Sequence, residues 1–432
     1  MDILLVNSNI CEVSQYARMS LPLGLAYIGA VLMKKDYEVS AIDLNLTTYK
    51  QEQVREKLEK LSPRILAISA TTPSYNNALK LAALAKGVDP NILTVIGGPH
   101  VSVTATQTAR EKDIDIVVIG EGEYALLEIA DHYLKGKGSL EDIRGISYKV
   151  NGEVKTTPRR LPLPDIDVIP LPARSLFHKR AYRRQNTIIA SRGGCPFACP
   201  FCVTHKIWGA KRVFRSPEQV ISEISSIIDE SEGQGESRTI DFYDDALTLD
   251  RDWALKLFRL MQTAYADNPI RWGCMTRVDL IDEELLREMK RAGCVQIQYG
   301  VEAGSQAILD SINKKITLDQ VRKAVKDTVS AGIDPVCFFM FPFPEDTEES
   351  IREQIRFMNE LHDMGSAVTT ALTCPDPGTD FYENADKLGL KILSDNWDDY
   401  DSNQLIISTR NLSREKLDLL FEELCREVPL NV

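Results

Sequence analysis

One segment decides the fold and the chemistry of this chain: Ser191-Arg192-Gly193-Gly194-Cys195-Pro196-Phe197-Ala198-Cys199-Pro200-Phe201-Cys202. It follows a short apolar run, and its glycines and prolines predict a loop at the end of a strand. The cysteines stand four and then three positions apart, so their sulfurs can turn toward one centre. No fourth cysteine lies close by. Three thiolates on a four-iron cluster leave one iron open, and an open position distinguishes a catalytic metal centre from a structural one.

Zinc is the competing interpretation of the same loop, because a remote cysteine or His205 could complete a tetrahedron. The chain has 9 cysteines, and three of them crowd into eight positions. This usage indicates metal binding in a reducing compartment rather than a disulfide framework. The remaining cysteines are scattered and are interpreted as small buried hydrophobic residues: Cys11, Cys274, Cys294, Cys337, Cys374 and Cys425.

Downstream of the loop, apolar runs alternate with amphipathic stretches. The predicted strands are Thr187–Ser191, Thr239–Asp244, Ile270–Thr276, Val295–Gly300, Pro335–Phe341 and Ala367–Leu372. The predicted helices between them are Pro217–Asp229, Asp252–Tyr265, Glu283–Ala292, Leu318–Ala331 and Glu348–Met364. Six strands fall short of the eight of a complete barrel, so the pattern predicts an open, TIM-like (β/α)6 barrel with its chemistry at the C-terminal strand ends.

Upstream, the first 135 residues also alternate. The predicted strands are Asp2–Asn7, Glu38–Asp43, Ile65–Ala70, Leu93–Ile96 and Ile116–Ile119. The predicted helices are Leu23–Lys35, Tyr49–Leu61, Ser74–Lys86, Thr104–Lys112 and Glu123–Lys135. This order predicts a parallel, doubly wound, Rossmann-like sheet, since parallel strands need crossovers. Small residues follow the strands, so a bulky ligand could approach the backbone there.

Two further segments complete the predicted organisation. A proline- and arginine-rich stretch, with one hairpin near Asn151-Gly152, reads as a linker. After the barrel, a helix is predicted at Ser413–Arg426. The aromatic side chains of the tail are expected to pack the barrel edge rather than line a pocket: Phe381, Tyr382, Trp397 and Tyr400. The predicted units are therefore 1–140, the linker 141–185, the barrel 186–385 and an extension 386–432.

Composition excludes some partners. The formal charge is −12 and the isoelectric point of the sequence is near 5.1. Nucleic acid and anionic membranes attract basic surfaces, so neither is expected as a partner. The N-terminal run lacks a basic region before it, and no apolar stretch reaches the roughly 18 residues that span a bilayer. A cytoplasmic protein is expected.

The cysteine loop resembles the radical S-adenosylmethionine (SAM) superfamily, whose CxxxCxΦC signature is matched by Cys195, Cys199, Phe201 and Cys202. The resemblance implies a [4Fe–4S] cluster on the three cysteines and SAM on its open iron. It further implies that reduction releases methionine and a 5′-deoxyadenosyl radical. By the same resemblance, SAM contacts are expected from Phe201, Asp244, Arg277 and Glu302. The fork of Arg277 suits a carboxylate, and Asp244 suits an ammonium group.

The N-terminal sheet together with this barrel, residues 1–390, resembles the cobalamin-dependent branch of that superfamily. The motifs that carry the resemblance are Ser20-Leu21-Pro22-Leu23-Gly24-Leu25, Ala70-Thr71-Thr72-Pro73, Ile96-Gly97-Gly98-Pro99-His100 and Ile119-Gly120-Glu121-Gly122-Glu123. The resemblance implies cobalamin contacts from Ser20, Leu21, Thr72, Ser74, Gly98, Gly120 and Glu121. The DxHxxG motif that supplies a histidine to cobalt is absent, because Asp131, His132 and Gly136 have the wrong spacing. His100 is interpreted as a loop or core histidine.

The resemblance implies methyl transfer to a carbon centre of a small-molecule, natural-product or lipid substrate, with methylcobalamin as methyl donor. The alternative keeps both cofactors and ends in cyclisation, oxidation or rearrangement. A one-electron donor of the flavodoxin or ferredoxin type is also implied. A non-enzymatic cobalamin-binding regulator and a methylthio transferase are both disfavoured. The sequence assigns neither the catalytic acid–base residues nor the oligomeric state.

Overall fold

A computed structural model describes residues 1–9, 19–46, 51–178, 181–232 and 238–430. Cys11 and the start of the second predicted helix, Tyr49, lie outside these residues. The described chain forms two α/β units, each built on a sheet, with a C-terminal extension that packs on the second and contacts the first through Trp397. The predicted α/β class and its order, a doubly wound domain followed by an open barrel, are confirmed.

In the described residues, the first unit has seven strands and six α-helices. The strands are β1 (Ile3–Asn7), β2 (Val39–Asp43), β3 (Ile65–Ser69), β4 (Leu93–Gly97), β5 (Ile116–Val118), β6 (Ile146–Val150) and β7 (Glu153–Thr156). The helices are α1 (Leu23–Met33), α2 (Gln51–Leu61), α3 (Tyr75–Val88), α4 (Pro99–Val103), α5 (Ala105–Thr108) and α6 (Glu123–Lys135). The strand order is β2-β1-β3-β4-β5-β6-β7.

The parallel part of this sheet is covered on both faces. Ile3, Leu4 and Leu5 are fully buried, as expected for strands that carry helices on each side. Strand order reverses between β1 and β3, and ligands of doubly wound sheets sit beyond such a point. The hairpin β6–β7 adds two antiparallel strands, so the sheet continues beyond residue 140 into the segment interpreted as a linker.

The second unit begins with the strands β8 (Thr187–Ile188), β9 (Ser191–Gly193), β10 (Arg212–Phe214), β11 (Thr239–Phe242), β12 (Arg271–Thr276), β13 (Cys294–Glu302), β14 (Asp334–Phe341) and β15 (Ala367–Leu372). Its helices are α7 (Thr204–Trp208), α8 (Pro217–Glu232), α9 (Arg251–Ala264), α10 (Glu283–Arg291), α11 (Gln306–Ser311), α12 (Leu318–Ser330) and α13 (Glu348–Asp363). The extension adds α14 (Asp380–Glu383), α15 (Ala385–Leu388), β16 (Leu390–Ile392), β17 (Ile407–Thr409) and α16 (Arg414–Glu427).

Six parallel strands form the open barrel, in the order β8-β11-β12-β13-β14-β15. Along each strand, alternate side chains are buried under the helices, as Phe242, Trp272 and Phe339 are. The intervening side chains face the concave inner side of the barrel, because successive strand residues point to opposite faces. In the described part of the chain, no helix has the length and apolar character that a bilayer crossing requires.

The first predicted barrel strand is shorter than expected. Only Thr187 and Ile188 pair with β11, and the chain then leaves the barrel as β9, antiparallel to β10. The turn is fixed because the Ala190 amide donates a 2.9 Å hydrogen bond to Asp244. The cysteine loop therefore connects the two strands of a hairpin instead of simply following a barrel strand.

The predicted helix Thr104–Lys112 is confirmed only over Ala105–Thr108. The chain instead forms two short helices, α4 and α5, separated at Thr104. Pro99 favours an earlier start, since proline suits the first turn of a helix. The Thr104 hydroxyl donates to the His100 carbonyl at 3.0 Å, and a side chain that bonds to its own backbone in this way competes with helix continuation.

Candidate active site between the two sheets

The cysteine loop is closed at its base by backbone hydrogen bonds. The Gly194 amide donates to Lys211 and the Cys195 amide to Gly209, at 2.9 and 3.1 Å. A Cβ atom at Gly194 would lie 1.5 Å from the Gly209 carbonyl oxygen, so only glycine fits there. Cys195, Cys199 and Cys202 are all free thiols and all partly exposed.

Four side chains from separate parts of the second unit and its extension contact the cysteine loop. The Arg277 guanidinium stacks on the Phe197 ring at 3.8 Å. The Asn313 amide donates to the Ala198 carbonyl at 3.4 Å. Phe201 packs against Phe343 and Phe381, with ring centroids 5.9 and 6.1 Å away. Phe201 was predicted from the family signature, and its position here is that of a packing residue behind the cysteines.

The donor set of the loop fits an iron–sulfur cluster. Burial raises the pKa of the Cys195 and Cys199 thiols, so a metal centre would have to favour their thiolate form. Within the described ranges, no group of three or more His, Cys, Asp and Glu side chains stands ready for a single metal ion. His205 Nδ1 lies 3.0 Å from the Cys195 carbonyl oxygen, on the backbone rather than on the sulfurs. Because no group of metal-binding side chains in the described ranges includes His205, zinc with His205 as fourth ligand has no support there.

Asp244 lies at the end of β11 and is almost fully buried. Its carboxylate accepts hydrogen bonds from the Ala190 amide and the Ser191 hydroxyl. Burial raises the pKa of Asp244, and these two hydrogen bonds oppose the rise. The predicted ammonium-binding acid thus also fixes the start of the cysteine hairpin.

Arg277 and Glu302 lie near Cys199, and each already has an ion partner. The Arg277 fork donates to both oxygens of Asp279, at 2.8 and 2.9 Å. Lys314 Nζ lies 2.7 Å from Glu302 Oε1, with side chains 7% and 13% exposed. The Glu302 backbone has φ 75, in the left-handed region that is uncommon outside glycine. No local sequence pattern indicates Lys314, because its approach to Glu302 depends on how the loop after α11 folds.

A cavity of about 340 Å³ separates the first sheet from the barrel. On the sheet side it is lined by backbone at Gly97, Gly98, Gly120 and Gly122, and Gly24 faces it from α1. A Cβ atom at Gly24 or Gly120 would meet no atom within 4 Å. Apolar side chains of α1 and of strands β3, β4 and β5 complete this side of the cavity. The exposed backbone between them fits a large flat cofactor such as a corrin, because the backbone can approach its plane.

Of the seven predicted cobalamin residues, Gly98, Gly120 and Glu121 line this cavity. Burial raises the pKa of Glu121, as does the neighbouring Glu123. The Ser102 hydroxyl joins two of these loops, since it donates to the Gly98 carbonyl at 2.8 Å and accepts from the Gly120 amide at 2.9 Å. Sequence reasoning missed Ser102.

The other four predicted cobalamin residues have different surroundings. Ser20 pairs with Arg184 in a short bridge between the units, and Leu21 is buried in the core. The Ser74 hydroxyl accepts from the Ser8 hydroxyl at 2.8 Å. Thr72 is buried. Burial raises the pKa of Asp376 to about 6, and a hydrogen bond with Thr72 opposes this rise.

The barrel side of the cavity was not predicted as a cobalamin contact. It includes β9 with Trp208, Tyr243 and Asp244. Arg192 of β9 forms an ion pair with Glu123 and stacks on the Tyr27 ring at 4.3 Å. These contacts tie the cysteine hairpin directly to the first unit.

Neither candidate histidine points to a cobalt-binding role. His100 is buried between the rings of Tyr75 and Trp397, with centroids 4.3 and 5.0 Å away. Burial lowers the pKa of His100 to about 4. His132 is near the end of α6, and its Nδ1 lies 3.0 Å from the Gly138 carbonyl oxygen.

Two family descriptions match this chain. The B12 binding domain matches residues 15–130, and the radical SAM superfamily matches residues 190–358. An uncharacterized methyltransferase of Pyrococcus horikoshii is 33% identical over 406 residues, covering 93% of this chain and 86% of that protein. The anaerobic magnesium-protoporphyrin IX monomethyl ester cyclase of Rubrivivax gelatinosus is 30% identical over 386 residues, covering 86% of this chain and 67% of that protein.

A solved structure has the same fold. The radical SAM methyltransferase TsrM of Kitasatospora setae, with cobalamin and a [4Fe–4S] cluster bound, superposes with a TM-score of 0.77 at 17% identity. The match covers 100% of this chain and 93% of that chain. From these matches, this chain belongs to the cobalamin-dependent radical SAM enzymes, a family related to methyltransferases that uses a [4Fe–4S] cluster, SAM and cobalamin.

Proposed function

We propose that this enzyme transfers a methyl group from SAM to a carbon centre of a small-molecule, natural-product or lipid substrate, with cobalamin as the methyl carrier. One observation carries the proposal. Strand β9 lines the interdomain cavity, and Cys195 follows two residues after that strand ends. The same short strand therefore serves the cavity that fits a corrin and the loop that fits a cluster.

The residues proposed to hold each group are those with matching chemistry. Cys195, Cys199 and Cys202 would hold the cluster, while Asp244, Arg277 and Glu302 would hold SAM. When bound, the cluster supplies the electron that cleaves SAM, and the corrin carries the methyl group. The chain itself provides fixed charges: Arg192 of β9 is paired with Glu123 and lies over the Tyr27 ring.

Cyclisation or oxidation without methyl transfer remains the second candidate, because the R. gelatinosus relative is a cyclase. Methyl transfer is favoured because the P. horikoshii relative is described as a methyltransferase and shares more of its length with this chain. The two functions differ in the fate of the methyl group.

The test needs no substrate. The enzyme is reconstituted without oxygen with iron, sulfide and hydroxocobalamin, then given a reductant and SAM labelled in its methyl group. We expect roughly four irons per chain, 5′-deoxyadenosine, and label recovered on the corrin. Formation of 5′-deoxyadenosine with an unlabelled corrin would support the second candidate and contradict methyl transfer. Zinc alone, or no metal, would contradict both.

The remaining partners are also proposals. A flavodoxin- or ferredoxin-type protein would supply the electron, in the cytoplasm, where thiols stay reduced. The formal charge of −12 supports a small-molecule substrate over nucleic acid.

A further inference from the structure

The concave face of the barrel carries a group of polar side chains. In the strand register, Asp241 lies opposite Gly273, and Gly273 lies opposite Gln296. Two residues further along these strands, Met275 lies opposite Gln298. Register partners in neighbouring strands share a face, so these five residues look to the inside of the barrel. Their immediate neighbours in sequence, such as Ile240 and Cys274, are buried on the helix side.

The Asp241 side chain is partly exposed and has an ion partner on one carboxylate oxygen. Its side chain is 22% exposed, and Arg184 Nη1 lies 3.3 Å from Oδ1. Burial raises the pKa of Asp241 and Arg184 opposes the rise. A Cβ atom at Gly273 would lie 3.9 Å from Oδ1, so the missing side chain leaves room beside the carboxylate. Above it, the Gln298 amide donates to Gln296 Oε1 at 3.2 Å.

Apolar side chains share this inner face. Phe338 lies opposite Gly300, and it is 38% exposed although β14 has a neighbouring strand on each side. A closed eight-stranded barrel fills its interior with packed side chains. Here a central strand leaves a phenyl ring uncovered, as expected of a surface that a ligand covers.

The inner face is continuous with the interdomain cavity. Tyr243 lines that cavity and lies two residues beyond Asp241. Two strand residues advance about 7 Å. Arg184 lies over the Tyr243 ring, 5.9 Å from its centroid, and bridges to Ser20 of the first unit. A molecule anchored at Asp241 would therefore extend toward the space between the two proposed cofactor sites.

We propose that Asp241, Gln296 and Gln298 form the substrate subsite and that it takes a nitrogen group that donates hydrogen bonds, such as an amine, on an apolar body lying along Met275 and Phe338. The inference rests on the proposed function, since it names the substrate class of that reaction. A carboxylate only accepts hydrogen bonds, so it selects donors and rejects anions. Arg184 contacts Oδ1 of Asp241. The substrate nitrogen would therefore donate to Oδ2.

The test compares three probes that share a phenyl ring and differ in the end group: 2-phenylethylamine, 2-phenylethanol and 3-phenylpropionate. Binding to the reconstituted holoenzyme with SAM is measured by calorimetry. We expect the amine to bind on the order of tenfold more tightly than the acid, as a hydrogen bond to a charged group allows. Asp241→Asn should remove most of this preference, and Gly273→Ala should weaken amine binding severalfold.

The matched control is Asp252→Asn, the same chemical change at an exposed position on α9, and it should keep the preference. Cluster iron and corrin content report whether each variant has folded. Equal binding of the three probes, binding by none, or an unchanged preference in Asp241→Asn would overturn the subsite. If the same holoenzyme still forms 5′-deoxyadenosine and labels its corrin, the proposed function stands and only the subsite fails.

Discussion

The two walls of the interdomain cavity present different groups to a ligand. The sheet wall presents backbone at Gly97, Gly98, Gly120 and Gly122, together with apolar side chains of α1 and of strands β3, β4 and β5. The barrel wall and the strand ends behind it present charged side chains that already have partners. The cavity that fits a broad, flat ligand is thus lined by glycine backbone and apolar side chains on its sheet side. The strand ends proposed to hold a small charged ligand carry charges that are already paired.

Fixing charges in advance has an energetic logic. The ion pairs Arg277–Asp279 and Glu302–Lys314 order long side chains before any ligand arrives. The entropy of ordering each such side chain, about 0.5–1.5 kcal/mol, then no longer opposes binding. The glycine wall needs no such ordering, because backbone held by the sheet is already rigid.

The largest expected effect separates the two walls completely. Cys199→Ala should abolish the cluster and 5′-deoxyadenosine formation, because two thiolates are too few to hold four irons, while the corrin still binds. Iron counting and absorbance measure both. Cys425→Ala, at an exposed cysteine on α16, is the control and should retain the cluster. Retained SAM cleavage in Cys199→Ala would refute the ligand assignment.

A second change perturbs the sheet wall instead. Gly98 has φ 111, and a Cβ atom there would lie 2.3 Å from the Ala70 carbonyl oxygen. Gly98→Ala should therefore shift the loop and weaken corrin binding by on the order of tenfold, about 1.4 kcal/mol, without loss of the cluster. Gly87→Ala on α3, where a Cβ meets no atom within 4 Å, should bind corrin normally. Normal corrin affinity in both variants would contradict the glycine-wall interpretation.

A third change tests whether the strand-end charges are truly paired. Lys314→Met leaves Glu302 buried without its partner, and breaking a buried pair costs about 3–5 kcal/mol of unfolding free energy. Urea unfolding of the apoprotein measures it. Arg356→Met, which breaks an exposed pair with Glu349, should cost about 0–1 kcal/mol. Equal costs for the two variants would show that the Glu302–Lys314 pair is not sheltered from solvent.

A fourth change tests the buried setting of His100 through the pH dependence of stability. His100 has its pKa lowered to about 4 by burial, so the folded state keeps it neutral while the unfolded chain takes up a proton first. Stability is therefore lost as pH falls below about 6.5, by about 1.4 kcal/mol at pH 5.5. His100→Phe should remove this component of the unfolding free energy, whereas His178→Phe, at an exposed site, should not. An unchanged pH slope in His100→Phe would contradict the buried setting.

Local signals predicted most of the fold, and contacts distant in sequence escaped prediction. The alternation of apolar runs and amphipathic stretches located the parallel strands, because their burial on both faces leaves continuous apolar segments. The β9–β10 hairpin was missed, since its pairing of Arg192 with Val213 spans the whole cysteine loop. In the site, the cysteines were evident from spacing alone. The pairs Glu302–Lys314 and Arg192–Glu123 depend on tertiary packing that no local pattern records.

Strand β9 has a consequence for how this enzyme can diverge. Its three residues, Ser191–Gly193, face the cavity on one side of the hairpin and lead within two residues to Cys195. A single inserted or deleted residue there would move both ligand sites at once. The distance from this cavity wall to the first cysteine is thus set by covalent chain length, whereas the distance from the opposite wall depends on how the two units pack.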